Sequence, residues 1–295
     1  MNNQEPGTLA EQQDLFYDEL SRTLLDQLFA DSKLYRQSTD YKELLDFVVK
    51  LRGFAPFNAM LLQVQRPGLS YAASVRDWRL RFNRQPKESA RPLLILWPFG
   101  PVALVYDVMD TEGDPLPEDV ASFVASGGIT QEQLRAFEIL LKRKRISCFW
   151  IDAGDHSAGS IRVAARGAED KGTSHYRIDL NQNHEAAVQY CTLVHELGHL
   201  FLGHLGPDKK LKVPERRRLE HAKREIEAES VAYIVCERSG VHPKSQSYLS
   251  NFVQSDTSLE DLDIYQVMRA AGQVETILGI ATRSRFDRTS HPGTT

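Results

Sequence analysis

Residues 195–199 read His-Glu-Leu-Gly-His. On an α-helix, residues four apart share one face and differ by about 40° around the axis, so His195 and His199 can present two imidazoles to one ion. Zinc at neutral pH takes such nitrogen ligands. Glu196 projects beside them, where a carboxylate can take a proton from a metal-bound water. A catalytic zinc needs a third protein ligand and one open position. His204 is near in sequence, but in a continuing helix it would lie about 180° from His195. It reads instead as a polar residue at the helix C-terminus, beside Gly203 and Gly206, where a histidine suits the negative end of the dipole.

The better source of the third ligand is the segment REIEAESVAYIVCERSG. Projected at 100° per residue, Ala222, Ala228, Ala232, Tyr233 and Cys236 make a small apolar stripe with Glu225 and Glu229 in its middle. Glu227 projects to the opposite face, with Arg224, Ser230 and Arg238 nearby. Two carboxylates inside a buried stripe are costly unless a cation or donors meet them. One glutamate would bind the metal and the other would accept the free N–H of a ligating histidine. We assign Glu225 as ligand and Glu229 as its outer partner; the reverse assignment is the alternative, and a pair salt-bridged to the arginines is the purely structural one. The resulting chemistry is hydrolysis at one Zn2+ per chain, with Glu196 taking the proton of water and passing it to the leaving amine.

Helices must position these groups, and periodicity supplies them. The pattern predicts helices over 183–205 and 214–239, the first preceded by an alternating strand over 174–180 that could pair its edge with an extended peptide. A helix over 130–145 and a strand over 147–151 come before. Further upstream, helices are expected over 9–30, 41–52 and 56–65, and short strands near 70–73, 92–98 and 102–108. The acidic, Gly- and Pro-bearing stretch 110–119 reads as a linker. The expected organisation is an N-terminal domain over 1–109, a C-terminal domain over 120–287 and a disordered tail over 288–295.

HELGHLFLGH followed by EIEAESVAY resembles the ImmA/IrrE family of zinc metallopeptidases, over roughly 146–240. The resemblance implies a zincin-like (gluzincin-type) fold, with His195, His199 and Glu225 on the metal and Glu196 as the catalytic group. Members encoded near phage and mobile-element genes cleave helix-turn-helix repressors. This chain has VCERSGVHP where they often carry a Leu-Met-Pro ending.

Between Phe54 and Arg91, seven cations (Arg66, Arg76, Arg79, Arg81, Arg84, Lys87, Arg91) face two carboxylates, a local balance of +5 in a chain of net charge -4. Phe57, Tyr71, Trp78, Phe82, Trp97 and Phe99 interleave with them or follow. Cations that track phosphates and aromatic faces that stack on bases are how single strands are held; a core Trp78 and a solvated arginine face are the plainer reading. The segment FAPFNAMLLQVQRPGLSYAASVRDWRLRFNRQPKESARPLLILWP resembles the single-stranded-DNA-binding domain of ArdC-type antirestriction proteins. Asn58, Gln65-Arg66-Pro67, Trp78 and Asn83-Arg84-Gln85 carry the likeness, which implies DNA contacts from Arg66, Arg76, Trp78, Arg79, Arg81, Arg84 and Lys87. ArdC-like proteins join such a domain to a zinc-peptidase-like one. The turn Lys87-Glu88-Ser89-Ala90-Arg91 lacks the glycine usual in that family.

The bulk numbers narrow the classes. A chain of 295 residues, 41% hydrophobic, can build one large core or two smaller ones. Net charge gives no global pull toward nucleic acid. No apolar run reaches the roughly 18–20 residues of a membrane span, and the polar N-terminus has no signal architecture. Cys148, Cys191 and Cys236 make no CxxC pair, as expected of reduced thiols in a cytoplasmic protein. The expectation is therefore an α+β protein: N-terminal helices with a small sheet that binds single-stranded DNA, then a zinc peptidase domain acting on a protein or peptide substrate. Its competitors are a regulatory protease cleaving a DNA-binding repressor, and a non-catalytic DNA-shielding protein with a structural zinc.

Overall fold

The computed structural model describes residues 38–97, 100–116, 128–153, 158–166, 174–242 and 262–281. They form a mixed α+β protein whose described residues divide into two compact units, one of residues 61–116 and one of residues 38–60 and 128–281. The expected helix over 9–30 and the tail over 288–295 lie outside the described residues. None of the described helices is long and apolar enough to cross a membrane.

The smaller unit contains β1 (Ala72–Ala73), β3 (Leu93–Trp97) and β4 (Gly100–Asp107) in the order β1-β4-β3, and a separate pair of β2 (Arg84–Pro86) with β5 (Thr111–Gly113). Gln65 pins the register of β3, because its side-chain amide accepts from the Leu94 N–H at 2.7 Å and donates to the Leu94 carbonyl at 2.8 Å. A helix that sequence reading does not foresee, Val75–Phe82, opens at Ser74, whose hydroxyl accepts from the Asp77 N–H. It closes on Asn83 in the left-handed region, φ 49°. Its one buried side chain is Trp78, whose indole N–H donates to the Tyr106 carbonyl at 3.0 Å and whose ring meets Tyr71 edge-on.

The larger unit holds the sheet β6 (Ile146–Ile151), β8 (His175–Asn181), β7 (Gly159–Ala165), in that spatial order, with β8 parallel to β6 and antiparallel to β7. In chain order the helices, α1 to α7, are Ser38–Lys50, Pro56–Gln65, Val75–Phe82, Gln131–Lys142, Ala186–Phe201, His221–Arg238 and Ile264–Ile277. Thr130 and Gln133 form a reciprocal capping box at the start of α4. Pairs such as Tyr190–Ser239 and His199–Glu225 show that α5 and α6 run antiparallel. Gly198 makes their closest approach possible: a Cβ there would stand 3.4 Å from the Ala228 carbonyl oxygen and from Val231 Cβ.

Three expectations are corrected. Residues 38–60 belong with the larger unit, not with an N-terminal domain. The cause is Arg238, whose guanidinium donates to Glu275 and to the carbonyls of Val48 and Phe54, while Tyr233 donates to Asp46. The stretch 110–119 is not a linker throughout, because Thr111–Gly113 pairs with β2. The strand at 174–180 offers no edge, because β8 is paired on both sides; the edge strands are β6 and β7. Both β7 and α7 are additional to the elements expected from sequence.

Candidate metal centre

The site is built where α5 crosses α6. Burial of Tyr190, Leu193, Val194, Leu197, Leu200 and Phe201 fixes the rotation of α5 and leaves His195 and His199 half-buried on the adjoining face. Buried Ala228, Val231, Ala232 and Val235 do the same for α6. Glu225 and Glu229, one turn apart, are thereby turned toward the histidines.

The Nε2 atoms of His195 and His199 stand 3.1 Å apart. Each is 3.5 Å from an oxygen of Glu225. A tetrahedral ion with bonds of about 2.0–2.1 Å would separate its ligand atoms by about 3.3 Å. The two imidazole nitrogens lie near that spacing, each 3.5 Å from a different oxygen of the Glu225 carboxylate, and His195, His199 and Glu225 form the one cluster of this kind able to hold an ion among the described residues. Glu229 lies outside it: its Oε1 is 3.4 Å from His195 Nδ1, the nitrogen on the far side of the ring.

Electrostatics follow the same layout. Hydrogen bonds from His195 and His199 hold the Glu225 carboxyl far below the usual carboxylate range. Burial alone would depress the His195 pKa, but the hydrogen bond to Glu225 and the charges of Glu229 and Glu196 outweigh it and the net shift is upward. Burial raises the Glu196 pKa, against the pull of both histidines and of the Ile161 N–H, which donates to its carboxylate from edge strand β7. Gly159 lets that strand lie close, since a Cβ there would meet Thr192 and the Asp179 carbonyl at 2.7 Å.

Sequence reasoning missed a second cluster behind the first. His204 Nδ1 is 2.9 Å from His199 Nδ1, and His204 Nε2 is 3.0 Å from a Glu227 oxygen. Arg216 grips the same carboxylate with two bonds of 2.7 and 2.6 Å. His204 is not among the converging ligand groups; it follows the end of the helix at Phe201 and is buried. Glu227 is buried too, and its partners are His204 and Arg216 rather than the arginines adjacent in sequence. No pattern in the sequence points to Arg216, which comes from the loop before the helix rather than from the arginines on it.

The expected DNA contacts divide. Arg76, Arg79, Arg81 and Lys87 are exposed. Trp78 is corrected to a core residue: it has 0% exposure and no ring face to offer a base. Arg66 is bound to Asp107 and Asp110 at 2.8 and 2.9 Å. Arg84 is bound to Thr111 and the Gly113 carbonyl, so it joins β2 to β5.

A sheet with its edge strand β7 beside the helix that carries HExxH, and a second helix that bears Glu225, frame the site. Residues 151–236 match the peptidase family described as IrrE N-terminal-like domain, Peptidase M78. Among solved structures, the chain is similar to the antirestriction ArdC protein from the R388 plasmid. For the metal-free crystal structure the identity is 16%, covering 76% of this chain and 82% of that one, with a TM-score of 0.34. For the Mn(II)-bound structure the identity is 14%, the coverage 84% and 99%, and the TM-score 0.39. No curated protein matches the chain in sequence.

Proposed function

We propose that the larger unit is a zinc-dependent peptidase that holds its ion through His195, His199 and Glu225. The observation that carries this reading is the set of donor separations, 3.1, 3.5 and 3.5 Å, on a helix that also bears Glu196. A bound divalent ion supplies Lewis acidity toward a substrate carbonyl and acidifies a coordinated water. Glu196, its pKa raised by burial, would take a proton from the attacking water and return it to the leaving amine. The Ile161 N–H keeps the carboxylate aimed during both transfers. The Glu229 carboxylate, 3.4 Å from His195 Nδ1, favours a hydrogen on that nitrogen and so would leave Nε2 for the metal.

The protein substrate meets the site along β7, the edge strand beside Glu196, by backbone pairing. The smaller unit binds single-stranded DNA through exposed Arg76, Arg79, Arg81 and Lys87, which supports a peptidase acting near DNA in an antirestriction or mobile-element setting. That setting is supported by the sequence resemblance of the 54–98 segment.

The test is metal analysis with a peptide-hydrolysis assay. Glu196→Gln is expected to retain one zinc per chain and lose hydrolysis by at least about 100-fold, whereas His195→Ala loses both. Full hydrolysis by Glu196→Gln removes Glu196 from the mechanism, and a wild-type chain without affinity for zinc removes the metal.

A further inference from the structure

Behind the metal-facing histidines runs an unbroken line of polar groups, with no water needed between them. His199 Nδ1 meets His204 Nδ1 at 2.9 Å, His204 Nε2 meets Glu227 Oε2 at 3.0 Å, and Arg216 holds both Glu227 oxygens. Both His204 and Glu227 side chains are 1% exposed. The loop between α5 and α6 is shaped to deliver them. Gly203 adopts φ +86°, and a Cβ on it would stand 2.3 Å from the Pro214 carbonyl oxygen. The Arg216 N–H donates to the Gly203 carbonyl at 3.2 Å, bringing the arginine under the helix end.

Two nitrogens facing each other at 2.9 Å require one to donate and the other to accept. If His199 gives Nε2 to an ion, its Nδ1 carries the hydrogen. His204 Nδ1 is then the acceptor, and the His204 proton sits on Nε2. There it meets a carboxylate, which when ionised only accepts. The tautomers follow from the network, and every group has one compatible role.

We propose that His204 is a positioning residue for the metal centre: through Glu227 and Arg216 it is held as an acceptor and fixes His199 in the tautomer that offers Nε2 to the ion. The proposal rests on the metal-binding reading of His199. A purely structural role, as a buried partner for Glu227, makes a different demand, and two substitutions separate them. Asparagine places an oxygen near the position of Nδ1 and keeps the acceptor toward His199. Glutamine reaches the position of Nε2 and keeps the contact with Glu227.

The experiment measures Zn(II) affinity of the full chain by chelator competition, and the visible absorption of the Co(II)-loaded chain, for wild type, His204→Ala, His204→Asn, His204→Gln and His199→Ala. His204→Ala is expected to bind zinc about 10- to 100-fold more weakly. His204→Asn should lie closer to wild type than His204→Gln, with a cobalt spectrum nearer the wild-type one. The reverse order, or equal affinities across all three His204 variants, overturns the proposal. Should His199→Ala abolish binding while the His204 variants keep wild-type affinity, the relay is wrong and the metal reading stands. A wild-type chain that binds neither ion overturns both. If His204→Ala fails to fold, the Asn and Gln variants decide the question between them.

Discussion

At the residue scale, three of the glutamates of one helix, Glu225, Glu227 and Glu229, have three different fates. Glu225 faces two Nε2 atoms, Glu229 faces one Nδ1 atom, and Glu227 points into protein. Their positions two residues apart rotate them by about 200° in turn, so only the outer two share a face. Replacing Glu225 with Ala removes a donor and is expected to abolish stoichiometric zinc. Replacing Glu229 with Ala leaves all three donors and is expected to weaken zinc by about 10- to 100-fold. Chelator competition distinguishes the two, and equal losses would return the assignment to its alternative. Arg216→Met is a stability experiment of the same kind. It leaves the Glu227 charge buried with His204 and the more distant Asp263 N–H as its remaining partners, which is expected to cost about 3–5 kcal/mol in a denaturant melt.

At the scale of elements, α3 answers a question that composition left open. Its Trp78 belongs to the core and its arginines to the surface, because a period of 3.6 puts Trp78 inward and Arg79 and Leu80 outward. Trp78→Ala is therefore expected to destabilise the protein by about 3–5 kcal/mol, visible in urea unfolding. Arg79→Ala with Arg81→Ala should leave stability within about 0.5 kcal/mol per site. The double variant should bind single-stranded DNA more weakly and with a shallower dependence on salt. Unchanged binding would place the DNA surface elsewhere. The loop after α5 makes a comparable demand on one residue. Gly203→Ala meets both a left-handed backbone and the Pro214 carbonyl, and a loss of about 2 kcal/mol or more is expected.

For the whole molecule, the buried tyrosines report on folding at high pH. Burial raises the pKa of Tyr41 and Tyr190 well above the usual phenol value and pushes Tyr176 up to about 12. Unfolded, each ionises near pH 10. The folded chain thus keeps protons that the unfolded chain loses, so this contribution is complete below pH 10 and declines as pH rises toward the folded values. Each tyrosine should lower stability by up to about 1.4 kcal/mol per pH unit in that window. Denaturant midpoints measured from pH 9 to 11.5 should fall, with no tyrosinate absorbance from these residues until the chain unfolds. Early ionisation of the full tyrosine complement in the folded protein would contradict their burial.

Local periodicity was enough to bring the candidate ligand groups onto facing sides of two helices. An HExxH helix and an i, i+4 glutamate pair are properties of single helices, so His195, His199, Glu196, Glu225 and Glu229 could be named from spacing alone. Helix α2 was legible to the residue, Pro56–Gln65, because proline starts it and Arg66-Pro67-Gly68 ends it. What spacing could not decide was which groups meet across chain distance. Strand β7 enters beside β8 through non-local pairing, and residues 38–60 join the larger unit through an arginine nearly two hundred positions away. Arg216 reaches Glu227 from a loop with no periodicity to read, and His204 turns back to His199 only because Gly203 breaks the helical path. Those contacts exist only once the loop closes, and they set the proton on a histidine whose identity was plain from the start.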